Sequence, residues 1–172
     1  MQSGVVLGIF GIISLYMFKC SFTYPFCSTL FTIMLLTSPM IALFQTIQFR
    51  NNVFEEASNF TLTQGFLYSL LTGFYASVWV ALGIFVYLQY FDHGSIFAAY
   101  AQSVNTPEMQ QYLAQTGLDA EFNTLTGGKG TQGLAETMQN IGAATYSAMS
   151  LYFAIIFGPV ISLIIGLITR RK

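Results

Sequence analysis

The sequence predicts an all-α integral membrane protein with four transmembrane helices and a mostly helical extracytoplasmic insert between helices 3 and 4. Three observations predict it. Charged residues make up 8% of the chain, against about 25% in a typical soluble domain, and 54% of it is hydrophobic, with 17 Phe and 10 Tyr. The charges are clustered, at Lys19, at 50–56, at 92–136 and at 170–172, which leaves four uncharged segments between them. The longest of these, 57–91, holds the apolar run 65–90. As a helix that run is about 39 Å long, more than the ~30 Å hydrocarbon core of a bilayer. The whole chain, 1–172, is expected to form one membrane domain, with spans at about 3–18, 25–49, 63–91 and 140–169 and an insert at about 92–139.

In the first span Gly4, Gly8 and Gly11 share one helix face, so this helix can approach a neighbour closely. No positive region precedes the span and Lys19 follows it, the reverse of a signal peptide, so it is expected to be retained. A tight turn at 19–24 leads to Pro25, a residue suited to a first helical turn, with Phe22, Tyr24 and Phe26 at headgroup level. Pro39 lies inside the second span and removes its bond to the carbonyl of Leu35, while Thr37 and Ser38 offer hydroxyls to freed backbone. Cys20 and Cys27 flank the turn. They are two apolar thiols near a membrane surface, or a small-loop disulfide if the turn faces an oxidising compartment.

The third span carries Gly65, Ser69, Gly73, Ser77 and Ala81, and the fourth carries Ser150, Ala154, Gly158, Ser162 and Gly166. Both stripes repeat every four residues. Helices associating in lipid gain from close backbone approach and interhelical hydrogen bonds, so spans three and four are expected to pack antiparallel. Gly73 and Gly158 should sit in the buried seam and Trp79 off it. Asp92-His93-Gly94 closes the third span, with Gly94 at C′ and His93 at the negative end of the helix dipole.

Within the insert, Thr106-Pro107-Glu108 and Gly117 bracket a short helix at Pro107–Thr116. The glycine-rich stretch 125–133 reads as a loop; its Gly-Gly-Lys-Gly lacks the spacing of a phosphate loop. The last helix is expected to start near Leu134 or Ala135 and run unbroken to Thr169, bent at Gly158-Pro159. Glu108, Asp119 and Glu121 mark a surface on the insert that a partner could use. Arg50, Arg170, Arg171 and Lys172 fall on one side and Lys19 and Lys129 on the other, so both termini are expected in the cytoplasm.

The glycine-rich VVLGIFGIISL, Phe49-Arg50, Thr63-Gln64-Gly65-Phe66 with Gly73 beyond it, the YFDHG exit, the acidic segment rich in Gln and Met, and Gly158…Ser162-Leu163-Ile164-Ile165…Arg170-Arg171-Lys172 form one pattern. It resembles a bacterial family of small four-span membrane proteins, domain of unknown function 4199. The resemblance implies a bacterial inner membrane, and an association with envelope or polyprenyl-phosphate glycan machinery.

No acidic or basic residue lies inside a span, whereas ion-coupled transporters and proton relays keep such residues despite a cost of about 2.5 kcal/mol or more each. Two cysteines and one distant His fall short of a metal site, and general acid–base work needs convergent titratable groups. No catalytic, cofactor or metal residues are therefore expected. A net charge of −1 without a basic patch argues against nucleic acid. The role expected is a non-catalytic accessory or scaffold subunit, meeting membrane lipids and another membrane protein such as a glycosyltransferase, or a second copy of itself. The alternative is a small transporter, channel or lipid-handling protein using the bends at Pro39 and Pro159, with Gln45, Thr46, Gln48, Tyr146 and Ser150 as lining.

Overall fold

The computed structural model describes residues 2–53, 59–130 and 132–170. The acids expected at Glu55-Glu56 and the terminal Arg171-Lys172 lie outside them. Eight α-helices follow in order among the described residues: α1 (Gln2–Ser21), α2 (Pro25–Val53), α3 (Leu62–Val86), α4 (Ser95–Val104), α5 (Pro107–Thr116), α6 (Leu118–Leu125), α7 (Gln132–Asn140) and α8 (Ala143–Thr169). A π-helical turn, Tyr87–Phe91, continues α3. Four helical segments, Gln2–Ser21, Pro25–Val53, Leu62–Phe91 and Ala143–Thr169, are long and apolar enough to cross a membrane.

The bundle is arranged around α3. Its most extensive contact is with α8, and its next is with α1, which also packs on α2. Matching levels fix the directions. Gly4 of α1 lies beside Tyr75 and Gly8 beside Trp79, so α1 and α3 run parallel; Gly166 of α8 lies beside Leu62 and Phe66, so α8 runs antiparallel. Leu7, Ala42, Ala76 and Ile165, one from each long helix, make the common core. Outside it the long helices show large apolar side chains, among them Leu36, Met40, Phe44 and Ile156, each 64–69% exposed. That much exposed hydrocarbon is costly in water and is satisfied by lipid.

Local chemistry explains the boundaries. Thr61 and Gln64 form a reciprocal capping box at the start of α3, with Gln64 Oε1 accepting from Thr61 N at 2.8 Å and Thr61 Oγ1 from Gln64 N at 3.3 Å. Gly117 closes α5 in the left-handed conformation (φ 73°), as its position after the periodic residues predicts. Thr106 has the extended backbone of an N-cap, but its hydroxyl donates to Ser103 O at 3.1 Å instead of capping α5.

The expected continuous helix from Leu134 or Ala135 to Thr169 is two helices. Ile141-Gly142 separates α7 from α8, and Gly142 adopts φ 79°, ψ 150°, a conformation that breaks any helix. Hydroxyl relief at Pro39 also differs in detail, since Thr37 Oγ1 donates to Ile33 O at 2.6 Å, one turn back from its own position. Cys20 and Cys27 are both free thiols.

Candidate functional site

The glycine and serine stripes meet, but at one level. Gly65, Ser69 and Ala81 of α3 and Ser162 and Gly166 of α8 are buried. A Cβ on Gly166 would lie 2.9 Å from Leu62 O and 3.0 Å from Phe66 N, and one on Gly65 would lie 3.1 Å from Gly166 Cα. Only glycine permits that approach. Farther along, Ser147 Oγ donates to Ala81 O at 2.8 Å.

Gly73 is a correction to the expected seam. A Cβ there would meet nothing within 4 Å, and one on Gly158 would meet only Leu70 Cδ1, at 3.9 Å. Ser77, Ser150 and Ala154 are likewise only half-buried. Crossing helices converge at one level, here at Gly65 and Gly166, so equal spacing along a stripe does not carry equal contact. Trp79 lies off the α8 seam but is not idle: a Cβ on Gly8 would sit 2.7 Å from Trp79 Cβ. The face of Gly4, Gly8 and Gly11 is therefore seated on α3.

The end that carries both termini also holds the buried polar groups. Thr46 and Thr169 are fully buried, each donating to the carbonyl four residues before it, Ala42 and Ile165 respectively. Gln45 Nε2 donates to Ser3 O at 3.1 Å, and Arg50 Nη1 donates to the Thr169 carbonyl at 2.9 Å, closing the C-terminus of α8 from α2. Phe49 stacks on Tyr68 with ring centroids 4.0 Å apart.

At the opposite end the helices part and leave a chamber of about 520 Å³, within the ~300–1,000 Å³ of ligand pockets. Ile12, Leu15, Gly83 and Ile84 line it from α1 and α3, and Ile96, Phe97, Tyr100, Met138 and Tyr146 from α4, α7 and α8. Tyr16, Phe18, Phe22 and Tyr87 add rings, and Lys19 adds a charge. Phe22 meets Phe18 edge-on at 5.1 Å and Tyr100 at 6.1 Å. A polar vestibule of about 300 Å³ shares Leu88, Phe97 and Tyr146 with the chamber and is lined further by Gln89, His93 and Gln139.

Asp92 holds this end together. The sequence reading treats it as an interfacial helix end, yet it is only 2% exposed. Its Oδ1 accepts from Tyr87 OH at 3.0 Å and from Ser95 Oγ at 2.7 Å, and both carboxylate oxygens lie 3.2 Å from Ile96 N. Three donors offset the cost of burying the carboxylate, and they join the end of α3 to the start of α4. His93 (φ 47°) and Gly94 (φ 84°) make the sharp turn between these helices. The signal in the sequence is an Asp three residues before a Ser at the start of an apolar helix. Lys19 Nζ lies 5.1 Å from the centroid of the Tyr87 ring, so α1 joins the same group. Tyr146 OH donates to Met138 O at 2.9 Å, tying α8 to α7 across the break.

Glu108 and Glu121, on α5 and α6, are exposed. Asp119 falls on α6, its side chain outside what the structure describes. None of the three reaches the chamber. Beyond the chamber, Lys129 and Glu136 pair at 2.7 Å on the surface, which raises the lysine pKa and lowers that of the glutamate. Among the described residues no three His, Cys, Asp or Glu side chains gather to hold a metal ion.

Four apolar helices, backbone-close at one end and parted around an apolar chamber at the other, define a multi-pass membrane protein that can take a hydrophobic guest. The chain belongs to the family described as "Protein of unknown function (DUF4199)", whose model matches residues 2–171. No curated protein and no solved structure matches it.

Proposed function

We propose that this protein is a non-catalytic, lipid-handling membrane component that holds an amphiphile in the chamber between α1, α3 and the helices α4 and α7. The observation that carries the reading is the chamber itself, about 520 Å³, aliphatic between α1 and α3 and aromatic towards the insert. A bilayer supplies hydrocarbon chains at that depth at very high local concentration, and burying one removes nothing from water that must be repaid in hydrogen bonds. The test is native mass spectrometry of the protein released from mild detergent. One retained lipid per chain is expected, lost from Ile84→Trp, which fills the chamber, and kept in Leu35→Trp, on the exposed face of α2. A lipid-free parent, or an Ile84→Trp protein that retains as much, overturns the reading.

A second reading, the accessory or scaffold subunit, is favoured by α2. It has the smallest buried share of the four long helices, and residues of its first half such as Phe26, Ile33 and Leu35 are 53–71% exposed. A stoichiometric partner on co-purification, lost when these positions are made polar, supports it; recovery of the chain alone removes it. For either role we place the protein in the bacterial cytoplasmic membrane, with both termini inside and 92–139 outside, from the excess of Lys and Arg at the terminal end. With Cys20 and Cys27 replaced, a cysteine substituted for Gly128 should react with an impermeant thiol reagent in intact cells. Labelling only after lysis reverses the orientation.

A further inference from the structure

The chamber has one charged residue in its lining, Lys19. It stands one turn beyond Leu15 on α1, so the aliphatic part of the cavity lies deeper along the helix and the ammonium at its rim. A lysine so placed keeps its stem along apolar surface and its head at the membrane–water boundary. Tyr16, Phe18, Phe22 and Tyr100 mark the same level, where aromatic rings favour the headgroup region.

The neighbouring acid does not neutralise Lys19 by contact. Asp92 is occupied by Tyr87, Ser95 and Ile96, and among the described residues no carboxylate lies within 4 Å of Lys19 Nζ. Its recorded contact is the face of the Tyr87 ring, which leaves N–H groups of a three-donor ammonium directed elsewhere. Lys129, the other lysine at this end, is already paired with Glu136.

We propose that the guest is an anionic lipid of the surrounding bilayer, its acyl chain along Leu15 and Ile84 and its phosphate at Lys19. The proposal rests on the lipid-handling reading and adds the headgroup charge. A free phosphate finds one cation beside an apolar wall here, whereas a lipid uses both. The attraction of one lysine for an anionic lipid corresponds to a preference of about fivefold.

The full chain is reconstituted in discs of equal phosphatidylglycerol and phosphatidylcholine, extracted in mild detergent and weighed with its retained lipid. The parent should hold the anionic lipid about fivefold over the zwitterionic one. Lys19→Met should hold both equally, Lys19→Arg should keep the preference, and the parent's preference should fall as salt rises. A parent that retains lipid without preference, a Lys19→Met protein that keeps it, or a preference indifferent to salt overturns the headgroup assignment and leaves lipid binding standing. A parent that retains no lipid removes both readings.

Discussion

At the terminal end of the bundle, helices touch backbone to backbone: Gly65 against Gly166, fully buried Thr46 and Thr169 folded onto their own helices, and Arg50 closing α8. At the insert end the same helices stand apart, and aromatic rings, Lys19 and the donors around Asp92 bridge a space that no side chain fills. The difference is one of spare volume. A glycine contact stabilises only if nothing intrudes, while a wall of rings tolerates change and leaves room for a guest. A structural end and a receptive end thus share one set of helices.

Overpacking separates the two ends most sharply. Gly166→Leu places atoms into the backbone of Leu62 and Phe66 and should cost about 3 kcal/mol, lowering the melting temperature in detergent by about 8 °C. Gly73→Leu, with open space around it, should melt within about 2 °C of the parent. Equal losses from both would show that the seam runs the length of the helices.

Arg50→Gln should cost about 1.5–2 kcal/mol, because the last carbonyl of α8 loses a charge-assisted donor. Hydrogen exchange should show the last turn of α8 opening first, with the insert unchanged. Faster exchange in α4 and α7 instead would mean that the two ends are one cooperative unit.

The smallest effect is expected at Lys129–Glu136. Lys129 lowers the Glu136 pKa, so whatever the pair contributes is complete above the ordinary carboxylate range and disappears as pH falls through the lowered value. The raised lysine pKa sets the upper limit, where the contribution is lost as pH rises through it. Both side chains are about two-thirds exposed, and Glu136→Gln should leave the melting temperature unchanged at neutral pH. A measurable drop would tie the loop at 126–130 to the stability of α7.

Charge depletion made the four long helices legible from the sequence, because the penalty for a charge in hydrocarbon acts on every residue of a span. Each local signal with a strict stereochemical meaning also held: Pro25 opening α2, Pro107 and Gly117 bracketing α5, and Gly94 in the left-handed region. The small-residue stripes were legible as faces, but not as contacts, since convergence of α3 and α8 at Gly65 rather than Gly73 depends on how two axes cross. The chamber was illegible altogether. A cavity is the absence of side chains where helices diverge, and Ile12, Leu15 and Ile84 look the same in a sequence whether they face lipid or a void. Asp92 and Lys19 were visible as residues, but their roles depend on Tyr87, Ser95 and the end of α1 arriving together.

The π-helical turn at Tyr87–Phe91 has a consequence for chain length. Asp92 N donates to Tyr87 O at 2.9 Å, a bond across five residues in place of four, which is how a helix absorbs one inserted residue. Deleting one residue there restores α-helical winding and turns everything beyond it by about 100° relative to α1. Asp92 and α4 would swing together, keeping their own bonds but losing their place over Lys19 and Leu15. The roof of the chamber therefore depends on a residue count more than on residue identities. At this position the protein should tolerate many substitutions and no single-residue gap.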